Sequence, residues 1–524
     1  LFSPFFTSSS RSWFYGAALL LGILATVLCS RLSHPWTYND DYNGAFWAQA
    51  ARNLSSGGFL STAGVPAPLY FGAPPIPSDA LYVHHPTLLP AMMFLDRAIL
   101  GESEAIARLL PILFSLITAA LLWALINFTS GPRCAFFALS FYVAAPMELH
   151  YGQMVNFEAP ELAFLLAALI CFHLWRLRPT RIFAAGLLLF AALAMWTDWQ
   201  GYLLVPILVV QVILSNMPRR RVISLALISI AILSGLAFLL QIHLASPTSW
   251  QELLHAFRER SSQGNLAGGK FTAWDWIHTQ FTDLTTLFHP ISWLLACAGV
   301  NLALVRRRAL SARASIPLQI AVVFFLIDAI YVCALRNQSY IHDFASFYFL
   351  IPLAIFPAFF IDSLINVLNT LRPGIPAVTT TLAACLLVAF LIYSAIQSLA
   401  DIDTQFCILD DDDSEPPTLI PDLGRLIDHT FPPTAAVITN FDQYYSPLPY
   451  YARRVMTNYA RTYPDWQKAL SDASPQPVAG IIWSADPTAP ALLAHLAPSD
   501  LHPITVDGIP FTEWLPAASN SEPH

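Results

Sequence analysis

Eleven apolar runs, each near the length that crosses a bilayer, constrain this chain more than any other feature. They lie at about 13–30, 106–128, 134–149, 157–175, 182–197, 201–217, 222–243, 289–305, 315–335, 344–367 and 376–398. A helical span needs roughly 20 apolar residues, and shorter runs are tolerated inside a bundle. Composition agrees: of 524 residues, 56% are hydrophobic and 11% charged, against about 25% charged in a typical soluble domain. So little charge cannot cover the surface of a water-soluble protein. The chain reads as a polytopic α-helical membrane protein of about 11 transmembrane helices, which excludes a disordered chain and a disulfide-stapled secreted scaffold. Seven cysteines form no CxxC pair, so neither a metal knuckle nor a redox motif is indicated.

Arginine placement orients the runs. With the N-terminus cytoplasmic, the inside segments carry Arg11, Arg133, Arg176, Arg178, Arg181, Arg219, Arg220, Arg221, Arg306, Arg307, Arg308, Arg313 and Arg372. These are half of the 26 basic residues, and the same short loops hold no Asp or Glu. Basic residues collect in cytoplasmic loops, so the chain is expected to end outside. The net charge of −8 is therefore a sum of segregated parts. High Arg, Ala and Pro content points to a GC-rich bacterial source and hence to the inner membrane. The inside loops are too short to hold a site. Chemistry is expected on the outer face, away from cytosolic nucleotides.

Two units are expected: a membrane part at 1–399, with site-bearing outer loops at 31–105 and 243–288, and a tail at 400–524. In the tail, β-rich runs (Ala435–Thr439, Ala479–Trp483, Ile504–Val506) alternate with helical patterns (Leu419–His429, Trp466–Ala473, Pro490–Leu496). This predicts a small extracytoplasmic α/β domain. It has no Gly-rich phosphate loop. The acidic run Asp410–Asp413 before it reads as a solvated linker.

Five outer segments carry chemistry-bearing residues. Asn39-Asp40-Asp41 follows the first span. Adjacent carboxylates repel, which raises one of them and suits it to act as a base, although Asn and Asp also favour a plain turn. His84 and His85 close the same loop; adjacent histidines suit phosphate better than joint chelation of one metal. The turn His150–Glu158, with Glu161 following, places two carboxylates on one helix face. Asp198 sits between Trp196 and Trp199, which are themselves ordinary interface anchors. Arg336, His342 and Asp343 form the fifth segment, where arginine offers a fork for phosphate oxygens. Arg258, Arg260 and Lys270 in the mid-chain loop are weaker candidates of that kind, and Gly264, Gly268 and Gly269 make the loop a candidate lid.

In order and side, these segments resemble the polytopic C-type (GT-C) glycosyltransferases that use polyprenyl-phosphate-linked sugars, notably the protein O-mannosyltransferases and the lipid A aminoarabinose transferases. The resemblance rests on Asp40-Asp41, on Ala50-Ala51-Arg52-Asn53-Leu54, and on His84-His85-Pro86-Thr87-Leu88, which is similar to that family's His-Pro-Pro-Leu or Lys-Pro-Pro-Leu signature. Tyr151–Glu158 and Tyr340–Phe344, followed by Phe347-Tyr348, add to it. It covers roughly residues 13–398 and not the tail. Thr87 stands where the signature has its second proline, and the acidic pair is Asp-Asp rather than Asp-Glu, so either aspartate could match the family's catalytic carboxylate.

The resemblance implies an inverting glycosyltransferase acting on the extracytoplasmic face. The donor would be a sugar on a lipid phosphate, and the acceptor a glycan, lipid or protein. In this reading Asp40 or Asp41 is the base. His84, His85, Arg336, His342, Arg258 and Lys270 hold the donor phosphate. Glu158, Asp198 and Asp343 orient the acceptor or a divalent metal ion, which the family does not uniformly require. No nucleic acid partner is expected. The competing reading is a multi-span secondary transporter, with ionisable groups along a pathway. Asp328 and Asp362 lie within spans but have no evident counterparts, and the other acids and histidines gather at one face.

Overall fold

A computed structural model describes residues 8–37, 41–214, 220–264, 269–371, scattered positions between 382 and 396, and then 418–440, 447–457, 460–473 and 476–516. Asp40, Gly268, Arg219, Arg372, the run Asp410–Asp413 and most of the expected span 376–398 lie outside them. The chain forms two compact units. One comprises Leu1–Leu32, Val83–Leu89 and Arg108–Ile402; the other comprises Ser33–Tyr82, Pro90–Ala107 and Asp403–His524. Most of the first outer loop is thus grouped with the tail.

The first unit is a helical bundle. Among the described residues six helices have the length and apolarity of a membrane span: Arg11–Leu28, Glu104–Ser130, Glu158–Leu177, Arg220–Ala245, Ile316–Ala334 and Asp343–Leu371. A seventh is counted if Ala273–Thr286 and Pro290–Arg306, which meet at 95°, are taken as one broken span. Other expected runs fold as shorter helices. Those at 182–197 and 201–217 become Arg181–Thr197 and Gln200–Leu214. The run at 134–149 is divided into Pro132–Val143 and Pro146–Tyr151, because Pro146 starts a new helix and cannot continue the old one.

Small residues let these helices approach. A Cβ on Gly299 would lie 2.2 Å from the Phe356 carbonyl oxygen, so Pro290–Arg306 and Leu350–Leu371 pack backbone to backbone. A Cβ on Gly201 would lie 2.4 Å from the Ala194 backbone, which is how the chain reverses between Arg181–Thr197 and Gln200–Leu214 over two residues. The arginine-bearing ends are tied by polar contacts. Arg133 Nε donates to Asp362 at 2.7 Å, Arg176 Nη1 to Gln319 at 2.6 Å, and Arg313 lies 3.7 Å over the Phe128 ring. Asp362 is therefore an ion-pair partner.

The second unit holds a five-stranded sheet in the order β2-β1-β3-β5-β4. Its strands are β1 (Ala436–Thr439), β2 (Val455–Thr457), β3 (Val478–Trp483), β4 (Leu501–Val506) and β5 (Ile509–Trp514). β1 pairs in parallel with β2 and β3, while β5 runs antiparallel to β3 and β4. Alternation along the strands sends Val437 and Ile481 to one core with the helix Leu419–Thr430, and Ile438 and Ile482 to another with the helix Tyr463–Ala473. β2 and β5 were not expected from sequence. The turn Asp507-Gly508 was a signal for β5: both residues have positive φ (50° and 85°), as a two-residue hairpin needs. Loop-one residues join this unit directly. The Trp36 backbone N–H donates to the Tyr451 hydroxyl at 2.8 Å, and Tyr451 donates to Glu104 at 2.6 Å. Arg52 lies 4.2 Å over Tyr450 and is paired with Glu102.

Candidate active site

The histidine pair, three buried acids and one arginine come together within the helical unit. His85 Nδ1 lies 2.6 Å from Asp198 Oδ1, with both side chains buried. The imidazole also stacks on Phe157, with ring centres 4.5 Å apart. Backbone around the pair is held too. Trp199 Nε1 donates to the His84 carbonyl at 3.0 Å, and Thr87 donates to Gln241 at 3.1 Å. Position 87 thus supplies a hydroxyl that a proline would not.

The tight reversal at Asp198-Trp199 links this pair to a second acid. Glu161 Oε1 accepts from the Gly201 backbone N–H at 2.5 Å, and its other oxygen accepts from the Tyr348 hydroxyl. With its amide turned to donate, Gln200 bridges Asp198 Oδ2 at 3.0 Å and Glu161 Oε2 at 3.2 Å. Glu158 accepts from Asn156 at 3.3 Å through Oε1; its buried Oε2 has no partner among the described residues.

Electrostatics place Arg260 among the histidines. Burial, then the charge of Arg260 and the neighbouring His85 and His255, push His84 down to about 3. Burial, Arg260 and His85 push His342 down to about 4. His85 is also lowered: burial is the largest cause, the Asp198 carboxylate opposes it, and Arg260 reinforces it. The imidazoles are therefore neutral at pH 7, and the cluster's standing positive charge is the guanidinium. A partly buried site with one cation and several neutral imidazoles can take an anion and gain protons as it does so.

The other expected residues sit as follows. Arg258, Lys270 and Arg336 are exposed. Arg258 and Arg260 both lie on the helix Ser249–Ser261, two residues and so about 200° apart; only Arg260 acts on the histidines. Asp343 accepts from the Tyr151 hydroxyl at 2.7 and 2.6 Å. Asp41 starts the helix Asp41–Ser56, accepts from the Thr37 backbone N–H at 3.0 Å, and belongs to the other unit. Asp40 lies outside the described residues. Gln200 was missed; its only signal was its place beside the Trp-Thr-Asp-Trp segment. Among the described residues no three His, Cys, Asp or Glu are placed to hold a metal ion.

Comparison with known proteins bears on this arrangement. Residues 84–244 match the model of the dolichyl-phosphate-mannose-protein mannosyltransferase family, so the match opens at the histidine pair. No curated protein matches the chain. Among solved structures, ArnT from Cupriavidus metallidurans bound to undecaprenyl phosphate is similar over 99% of this chain and 100% of its own, with a TM-score of 0.61 at 14% identity. The oligosaccharyltransferase AglB from Archaeoglobus fulgidus, in complex with an inhibitory peptide and a dolichol-phosphate, covers 90% of this chain and 69% of its own, with a TM-score of 0.58 at 13% identity. The mycobacterial arabinofuranosyltransferase AftD is similar over 97% of this chain and 40% of its own, with a TM-score of 0.50 at 14% identity. At these identities the structural likeness speaks for the fold. The family match is confined to residues 84–244, and over nearly the whole chain the fold is shared with these solved membrane glycosyltransferases.

Proposed function

We propose that the protein moves a sugar from a polyprenyl-phosphate-linked donor to an acceptor at the extracytoplasmic face of a bacterial inner membrane, with inversion at the anomeric carbon. The observation that carries this reading is the cluster of buried His85 with half-buried His84, His342 and Arg260 beside membrane-length helices. Such a cluster suits a phosphate that arrives on a lipid. The family match over 84–244 and the polyprenyl phosphate bound by the similarly folded ArnT support the donor class. The arginine asymmetry supports the orientation, with the N-terminus inside and the tail outside. Eleven spans result when the bent pair counts as one, and Pro132–Val143, Arg181–Thr197, Gln200–Leu214 and the run at 376–398 join the six long helices.

In this mechanism an acceptor hydroxyl loses its proton to a loop-one carboxylate, Asp40 or Asp41. Its oxygen attacks the anomeric carbon, and the bond from that carbon to the phosphate oxygen breaks with its electrons leaving on the phosphate. Base assistance contributes about 10²–10⁴-fold. Stabilising the departing charge is usually the larger effect. Arg260 and the histidines serve it. Asp198 holds His85 by one ring nitrogen and so fixes its tautomer and direction. Glu158, with its unpartnered oxygen, orients the acceptor. Arg336, Arg258 and Lys270 are left as outer-surface charges that attract anionic lipid. Asp343, bonded to Tyr151, braces the start of the Asp343–Leu371 span.

Binding of undecaprenyl phosphate to the purified protein in nanodiscs tests the donor site. The wild type is expected to bind, with affinity reduced at least tenfold in Arg260→Ala and in His85→Ala. Equal affinity in all three would remove the phosphate role from this cluster.

A further inference from the structure

Two helices beside the cluster carry apolar side chains that stay exposed among the described residues. On Ser249–Ser261 these are Trp250, 50% exposed, and Phe257, 59% exposed. On Ala273–Thr286 they are Trp274 at 71%, Ile277 at 48% and Phe281 at 68%. Positions 250 and 257 share one face, as do 274, 277 and 281, by the 3.6-residue period.

Each helix is divided into three sectors. The sector facing the protein is pinned. Trp276 Nε1 donates to Ser339 Oγ at 2.9 Å, Gln280 donates to the Ser339 carbonyl at 2.5 Å, and Asn337 donates to the Glu259 carbonyl at 3.1 Å. A second sector is exposed and polar, with His255 and Arg258 on one helix and Asp275 and Thr282 on the other. The third sector is the apolar one. A helix in water needs only two kinds of face. A helix at a bilayer surface needs this third, sunk about 5–10 Å into the headgroup and acyl boundary.

Their placement selects the occupant. Ala273–Thr286 turns by 95° into the apolar helix Pro290–Arg306, so it lies across the direction of that span. Ser249–Ser261 follows the span Arg220–Ala245 after three residues. The exposed apolar surface continues onto both neighbours, through Leu244 (70%) and Leu294 (71%). A surface continuous with lipid-facing spans is met by lipid.

We infer that Ser249–Ser261 and Ala273–Thr286 are interfacial helices seated on the bilayer, and that Trp250 and Phe257 set the depth of Arg260 on the same helix. The guanidinium is then held at headgroup level, where a lipid-borne phosphate arrives. The second half of this inference rests on the proposed lipid-phosphate donor; the first half does not.

The test places p-benzoylphenylalanine at position 257, 258, 281 or 282 of the full-length protein in nanodiscs, followed by illumination and mass spectrometry. Lipid adducts at 257 and 281, with few at 258 and 282, are expected. Adducts to a second copy or to another protein, no adducts at 257 and 281, or equal lipid adducts at all four positions would each overturn the seating. The depth role is read separately with Phe257→Ser. It should raise KM several-fold for a long-chain polyprenyl-phosphate sugar in a bilayer and leave KM unchanged for a short-chain, water-soluble analogue. An equal change for both donors would overturn the depth role. Lipid adducts with no turnover of any lipid-linked sugar would leave the seating intact and count against the donor.

Discussion

His85 is the residue on which the site turns. One ring nitrogen lies 2.6 Å from Asp198, and its face rests on Phe157. A hydrogen bond to a charged partner contributes about 1.5–3 kcal/mol. Asp198→Asn is therefore expected to lower kcat/KM by about 10- to 100-fold, measured by release of polyprenyl phosphate, with the Asp198→Glu variant recovering part of it. Arg260→Ala should raise donor KM by a similar factor, while Arg258→Ala leaves it unchanged. An equal effect of the two arginine changes would show that general surface charge, not a built site, holds the donor.

The acid–base state of the cluster gives a further expectation. His84 and His342 titrate at about 3 and about 4 without an anion, because burial and then Arg260 disfavour their charged forms. A bound phosphate favours the imidazolium and moves both upward, so binding takes up protons between the free and bound values. Affinity for polyprenyl phosphate should therefore rise as pH falls from 7 to 5. Affinity that falls over that range would mean the histidines do not face the phosphate. At this scale the sequence was partly legible. Asp198 stood out because an acid has no anchoring use between tryptophans. Its partner, 113 residues away, did not. Arg258 and Arg260 could not be told apart until the helix bounds fixed their phase.

At the scale of elements, the reversal between Arg181–Thr197 and Gln200–Leu214 decides where Asp198 points. A methyl group on Gly201 would stand 2.4 Å from the Ala194 and Met195 backbone, whereas one on Gly235 would meet only Tyr202 at 3.8 Å. Overpacking of the first kind costs about 1–3 kcal/mol. Gly201→Ala should lower the melting temperature and donor affinity together, and Gly235→Ala should lower neither. Apolar periodicity made the long spans legible, because hydrophobicity over 18 or more residues outweighs local preference. It did not reveal that 134–149 breaks at Pro146, although proline after two alanines was a signal. It read 243–288 as a loop, because the two helices there are amphipathic and short.

At the scale of the whole molecule, the segregation of arginines into short acid-free loops was written in the sequence. The grouping of residues 33–82 with the tail was not. It depends on contacts such as Trp36 with Tyr451, across more than 400 residues, which no local pattern encodes. The same scale separates a transferase from a transporter. A transferase consumes a lipid-linked sugar and frees the lipid phosphate; a transporter moves solute and frees none.

The most direct measurement follows polyprenyl phosphate release by purified protein in lipid, offered a panel of polyprenyl-phosphate sugars with candidate acceptors. Wild type is compared with the Asp40→Asn/Asp41→Asn double variant. Release from at least one donor by wild type, reduced at least a hundredfold in the double variant, is the predicted result. Undiminished release in the variant would contradict the loop-one base. No release from any donor, together with solute flux into sealed vesicles, would contradict glycosyl transfer itself.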